Sequence, residues 1–220
     1  MIRMKLKLLG APLSPFVRKT ILTLKLKELP YELTPVLPFN FPDWFVELNP
    51  LKRIPVLTVD DTPIADSSVI CQFLDTLSDT TRLIPDNALD AARVRWFEKY
   101  ADYELAPHLT FTIFRNRFLL PSLGKPGDEA AIEKSLTKKL PPMLTYLEQT
   151  LANNDYLVGD SITLADLAVI SQFLSFKHGG EQPDSNQYPN LCAYLERLMQ
   201  LPSVVETWEK ECAIIQKMKK

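Results

Sequence analysis

Residues 4–9 read Met-Lys-Leu-Lys-Leu-Leu, an apolar–charged alternation of period two that predicts a strand over 5–9. The period then lengthens, and apolar residues at helical spacing predict a helix over 15–27. Further strands are predicted over 31–36, 56–59 and 63–65, with a short helix over 42–48 and a longer one over 67–77. Asp60-Asp61-Thr62, between the last two strands, reads as a hairpin turn. Strand, helix, strand, then two strands and a helix make a small α/β layer.

The texture changes at residues 79–88, which are polar and turn-rich and read as a linker. Beyond them the period is helical throughout, with helices predicted over 89–118, 128–152, 163–177, 189–200 and 203–216. The expected organisation is thus an α/β domain over 1–78, the linker 79–88, and an all-helical domain over 89–220. The first long helix carries two apolar stripes, one of Val94, Phe97, Ala101, Leu105 and Leu109, the other of Tyr103, Pro107, Phe111, Phe114 and Phe118. One stripe serves one neighbour, so the second must meet a core, a partner subunit or a ligand. Pro107 should kink this helix. Leu164 to Ile170 is apolar nearly all round, which predicts a central, buried helix. Thr163 and Asp166 form a capping-box pattern at its start, so Asp166 is assigned to structure rather than catalysis.

At 220 residues the chain suits one large or two small domains. A formal charge of −2 disfavours a nucleic-acid surface. No apolar run approaches the roughly 18 residues of a membrane span, and the charged, alternating start lacks a signal peptide's apolar core. These features describe a soluble, cytoplasmic protein. Cys71, Cys192 and Cys212 are far apart and odd in number, and only His108 and His178 accompany them. Neither a disulfide framework nor a metal site is expected; each cysteine reads as a small core residue.

Three segments of the first half carry candidate chemistry. Ser14 stands at a strand-to-helix turn with Pro15 at the first helical position, where the missing N–H costs nothing. Such a turn offers an anion, a thiolate in particular, the positive end of a helix. Redox proteins of similar layout place C-P-x-C there; Ser14-Pro15-Phe16-Val17 cannot exchange dithiols, so any thiol must come from the ligand. The second segment is Lys52-Arg53-Ile54-Pro55-Val56-Leu57, where a cis Ile54–Pro55 bond would leave the Ile54 backbone free for an extended ligand. In the third, Asp66 and Ser67 open a helix. They read as an N-cap, or as a carboxylate for an amine beside N–H groups and a hydroxyl for a carboxylate.

Taken together, these stretches resemble the cytosolic glutathione S-transferases of the serine type. The resemblance rests on Ser14-Pro15-Phe16-Val17-Arg18-Lys19, Asn49-Pro50-Leu51-Lys52-Arg53-Ile54-Pro55-Val56-Leu57 and Asp66-Ser67-Ser68-Val69-Ile70 in the first half. In the second it rests on the run from Tyr156 through Gly159 and Thr163 to Asp166, and on Tyr188-Pro189-Asn190-Leu191. It implies a thioredoxin-like domain followed by a C-terminal helical bundle, usually as a homodimer. It implies glutathione as co-substrate, with Ser14 donating to its sulfur. It also implies a cis Pro55, Ile54 backbone pairing to the cysteinyl part, and Asp66 with Ser67 on the γ-glutamyl end. Arg53 matches a position that helps with the carboxylates. Phe39-Asn40-Phe41 supplies no cation where many members carry one, and Lys52 stands in for it. The electrophile is expected against Ser14, Phe16 and the helix bearing Tyr103, Phe111, Phe114 and Arg115; this last set follows from the stripe, not from a motif. The implied activity is glutathione transfer to hydrophobic electrophiles, in detoxification. The alternatives are a non-catalytic binding or scaffold protein and a glutathione-dependent isomerase or dehalogenase.

Overall fold

The computed structural model describes residues 4–39, 41–78 and 80–219, so Asn40 and Asp79 lie outside the described residues. The chain divides into two units, the first ending at Ile84 and the second opening at Pro85.

The first unit runs β1 (Leu6–Leu9), α1 (Pro15–Leu26), β2 (Glu32–Thr34), α2 (Asp43–Leu48), β3 (Val56–Val59), β4 (Thr62–Ala65) and α3 (Ser67–Asp75). The sheet order is β2-β1-β3-β4, with β1 parallel to β2 and antiparallel to β3, and β3 antiparallel to β4. The strand predicted over 31–36 shortens to Glu32–Thr34 because only those residues find partners on β1. Asp60 and Asp61 take φ of 46° and 71°, and Val59 pairs with Thr62. Two left-handed residues in a two-residue loop match the twist of a hairpin, and Asp tolerates that conformation.

Side chains alternate across the sheet. Leu6, Leu8 and Leu57 join Val17, Ile21 and Leu24 of α1 and Ile70 and Leu74 of α3 in one cluster. Leu9 and Val56 turn to the opposite face and meet Val36, beyond β2, and Phe45 of α2. So α1 and α3 cover one face and α2 the other. Each such fully buried side chain contributes about 1.5–3 kcal/mol. Cys71 sits between α1 and α3, fully buried, and accepts a hydrogen bond from the Thr23 hydroxyl at 3.3 Å.

An ion pair that the apolar pattern does not announce fastens the end of this unit. The Lys27 ammonium, 1% exposed, donates to Asp75 Oδ1 at 3.0 Å, the Asp75 carbonyl at 3.0 Å and the Thr81 carbonyl at 2.7 Å. The Asp75 carboxylate also accepts from the Leu83 and Ile84 amides at 2.9 and 3.1 Å. Residues 81–84, inside the predicted linker, are therefore tied down to the first unit.

The second unit is helical. It opens with α4 (Ala88–Lys99), which continues through a π-helical stretch (Tyr100–Leu105), α5 (Ala106–His108), a second π-helical stretch (Leu109–Leu119) and α6 (Leu120–Ser122). Then come α7 (Glu129–Lys134), a short π-helical stretch (Ser135–Lys139), α8 (Leu140–Thr150), α9 (Leu164–His178), α10 (Pro189–Met199) and α11 (Pro202–Met218). The central helix is as predicted: every residue of α9 from Leu164 to Phe176 is buried, and it packs against α4 and Leu109–Leu119. Asp166 accepts the Thr163 amide at 2.7 Å, closing the predicted capping pattern. The same carboxylate accepts the Thr163 hydroxyl at 2.9 Å, the Leu157 amide at 3.1 Å and the Tyr194 hydroxyl at 2.9 Å. Burial pushes the Asp166 carboxyl above the usual carboxylate range, against the pull of these donors.

Candidate functional site

Sheet register brings the three candidate segments together. β1 ends at Leu9, β3 begins at Val56 and β4 ends at Ala65; Leu9 pairs with Val56, and Val56 pairs with Ala65. Adjacent strands lie about 4.8 Å apart. The segments leaving the sheet here, toward Ser14, from Ile54-Pro55 and into Asp66-Ser67, thus start within about 10 Å of one another. Gly10 permits the close approach: a Cβ there would lie 2.5 Å from Val17 Cγ2 and 3.5 Å from Ile54 Cβ. Any larger residue would push the turn off α1. Both α1 and α3 begin at this sheet end, and their N-termini carry partial positive charge.

Ser14 is half-buried and extended, with φ −72° and ψ 127°. Its amide donates to the Ala11 carbonyl at 3.0 Å, and its carbonyl accepts from the Arg18 amide at 2.8 Å. Its hydroxyl makes no cap bond to α1. The backbone is therefore held while the side-chain donor is left over from capping, with Pro15 at the first helical position. Phe16, on the first turn, is half-buried.

Asp66 does cap α3: Oδ1 accepts from the Ser68 amide at 2.8 Å and the Val69 amide at 3.3 Å. Capping alone does not require its backbone, which is left-handed at φ 77° and ψ 125°. A non-glycine residue held there costs on the order of 1–3 kcal/mol, and such outliers concentrate at ligand sites. Asp66 is exposed, whereas Ser67 beside it is 5% exposed.

The Ile54–Pro55 bond is cis, as expected. The β3 ladder opens at Val56, so Ile54 stands before the first paired residue. Lys52 and Arg53 are both exposed, and Lys52 is left-handed at φ 52°. The organiser of this loop is Asn49, 3% exposed. Its Nδ2 donates to the Arg53 carbonyl at 2.8 Å, its Oδ1 accepts from the Leu51 amide at 3.1 Å, and its carbonyl accepts from the Lys52 amide at 3.0 Å. In the sequence Asn49 stands out only as part of the motif Asn49–Leu57. An Asn before Pro signals a turn, but no periodicity shows that its side chain folds back over four residues.

The second-unit candidates do not all share a face. Tyr103 and Phe111 are 65% and 52% exposed, and Arg115 is exposed. Phe114 departs from the expectation: it is 4% exposed and stacks on Phe118 at 5.4 Å and 25°. The stripe assumes α-helical spacing, but these residues lie in π-helical stretches on either side of Pro107, whose i→i+5 bonding rotates successive side chains differently. Widened turns thus surround the proline at which a kink is predicted. The first stripe stays coherent, with Val94, Ala101, Leu105 and Leu109 fully buried.

Both histidines serve packing in the second unit. His108 Nδ1 lies 3.1 Å from Ser135 Oγ, and burial, then the Lys139 charge, lowers its pKa, with Glu104 opposing. His178 Nε2 meets Glu211 Oε2 at 2.9 Å, and its ring stacks on Trp208 at 4.1 Å. Cys192 and Cys212 are half-buried, and burial raises both thiols, which keeps them protonated. Among the described residues no group of three or more His, Cys, Asp or Glu could hold a metal ion, and no helix is long and apolar enough to cross a membrane.

Family models described as "Glutathione S-transferase, N-terminal domain" and "Glutathione S-transferase, C-terminal domain" match residues 13–77 and 117–211. The chain is 35% identical to glutathione S-transferase 3 of Zea mays over 167 residues, 73% of each chain. It is 28% identical to glutathione S-transferase U2 of Arabidopsis thaliana over 223 residues, 97% of this chain and 92% of that one. Among solved structures, a glutathione S-transferase of Methylobacillus flagellatus with GSH bound superposes with a TM-score of 0.77 at 28% identity, covering 92% of this chain and 98% of the other.

Proposed function

The chain belongs to the glutathione S-transferase family and is a glutathione transferase, and from that premise we propose that Ser14 activates the thiol of glutathione by donating its hydroxyl hydrogen to the sulfur. The observation that carries this reading is the Ser14 hydroxyl, unspent on capping, at the start of α1. In the same reading Ile54 pairs through its backbone with the cysteinyl part, Asp66 and Ser67 hold the γ-glutamyl end, and Lys52 and Arg53 hold carboxylate. The shared sheet end of β1, β3 and β4 supports that grouping.

The magnitudes suffice without a general base. A thiol of pKa about 8.5 needs a lowering of about 2 units, roughly 2.7 kcal/mol, to ionise at neutral pH. A hydrogen bond to a charged group supplies about 1.5–3 kcal/mol, and a partly buried helix terminus adds up to about 2 kcal/mol. The proton leaves to solvent. The thiolate then uses a lone pair to form a carbon–sulfur bond, and the leaving group departs with the electrons of the bond it breaks. Positioning of the electrophile supplies the remaining acceleration. In keeping with the family resemblance, the electrophile is assigned to Phe16 and to Tyr103, Phe111 and Arg115, the last three exposed on their own unit. Phe114, buried on Phe118, is left out of this set. We assign the protein to the cytoplasm, to detoxification and to a homodimer, in keeping with the family resemblance.

The test is retention on immobilised glutathione with thioether formation from an aryl halide. Retention with turnover is the expected result. Retention without turnover would make the chain a binding protein, and no retention would remove the site.

A further inference from the structure

We propose that Asn49 is a positioning residue for glutathione, acting through the Arg53–Ile54 peptide; this rests on the placement of glutathione given above. The Arg53–Ile54 bond is trans, since the cis bond is the next one, Ile54–Pro55. In a trans peptide the carbonyl and the N–H share one plane and point in opposite directions. The Arg53 carbonyl and the Ile54 amide belong to that one plane. Asn49 Nδ2 holds the Arg53 carbonyl at 2.8 Å from a buried position. The Ile54 N–H must therefore point away from Asn49, and it cannot rotate without breaking this bond.

The rest of the loop is tied to the same residue. Asn49 Oδ1 accepts from the Leu51 amide and its carbonyl from the Lys52 amide, while its own amide donates to the Phe45 carbonyl at 3.0 Å, anchoring the loop to α2. One buried side chain and its backbone thus set the conformation of residues 50–53, including the left-handed turn at Lys52. Asn suits the task because its amide offers a donor and an acceptor on one short, stiff side chain. Asp keeps the shape but puts a second acceptor against the Arg53 carbonyl.

Asn49→Ala and Asn49→Asp are expected to raise the glutathione KM and its calorimetric Kd about tenfold. The kcat at saturating glutathione should stay within about twofold, and the KM for an aryl halide should not move. In selectively 15N-isoleucine-labelled parent protein, the Ile54 amide resonance should shift when glutathione is added, and in the variants that shift should shrink. A merely structural role predicts the reverse split: lower melting temperature and active fraction, with KM unchanged. Unchanged KM in a folded variant overturns the proposal, as does an Ile54 resonance in the parent that ignores glutathione; the latter needs no variant to fold. Asp66→Asn in the same assays separates the two levels. If it raises KM while Asn49→Ala does not, only the positioning role fails; if neither raises KM, the placement of glutathione itself fails.

Discussion

Replacing Ser14 by alanine removes the side-chain donor proposed for the glutathione sulfur and leaves the rest of the turn in place. The structure makes the perturbation clean: the Ser14 hydroxyl does not cap α1, and the two bonds that hold the residue, Ser14 N–H to Ala11 O and Arg18 N–H to Ser14 O, are backbone bonds that alanine keeps. What is lost is one charge-assisted hydrogen bond, about 1.5–3 kcal/mol. At 1.36 kcal/mol per unit, the pKa of the bound thiol rises by about 1–2 units. Its folded-site value moves up, so the thiolate becomes scarcer below the new pKa and is unaffected well above it. At pH below both values the thiolate population falls about 10- to 150-fold. A thiolate of higher pKa is intrinsically more nucleophilic, with a sensitivity of about 0.4–0.5, which returns part of the loss. The rate of thioether formation should then drop about 3- to 16-fold on the acid side and, where both thiols are fully ionised, rise about 2.5- to 10-fold above the parent rate. The assay is a pH profile of kcat for an aryl halide, paired with a spectroscopic titration of the bound thiol. A rate loss equal at every pH, or an acid limb that does not move, refutes the role assigned to Ser14.

Two further outcomes concern stability. Lys27→Met strands the Asp75 carboxylate, 4% exposed, with only the Leu83 and Ile84 amides; breaking a buried pair in this way should cost about 3–5 kcal/mol. Denaturant unfolding reads the loss, and a cost below about 1 kcal/mol would show that the pair is replaceable. Asp166 gives a pH dependence. Burial raises its pKa in the folded state, so folding favours the protonated form; its contribution is greatest below the ordinary carboxylate pKa and declines as pH rises through the raised value. Asp166→Asn should flatten that decline in a series of melting temperatures across acid to neutral pH, and an unchanged slope would assign the dependence to other groups.

The same contrast between local and long-range forces explains which features could be read ahead of the structure. Leu6, Leu8 and Leu9 declare their strand by alternation, and the helical run from Leu164 to Ile170 declares its burial by having no polar face. Asp60-Asp61 announces a hairpin because a left-handed pair is a property of two residues. The stripe holding Phe114 was legible only on the assumption of α-helical turns, and the π-helical stretches beside Pro107 break that assumption. The end of the first unit is obscured in the same way: residues 81–84 look like linker until Asp75 and Lys27 are seen to hold them.

Sequence alone determined the order of elements, the two-part organisation and the chemical character of each turn, since periodicity, proline placement and capping act within a few residues. Tertiary structure decided what those turns do together. Only the pairing of Leu9 with Val56 and of Val56 with Ala65 gathers Ser14, Ile54 and Asp66 at one end of a sheet. Only the fold-back of Asn49 aims the Ile54 amide, and only packing sets Lys27 against a residue 48 positions away. Such contacts depend on strand register and on the burial of polar groups that must find partners, and neither is encoded in any short window of the chain.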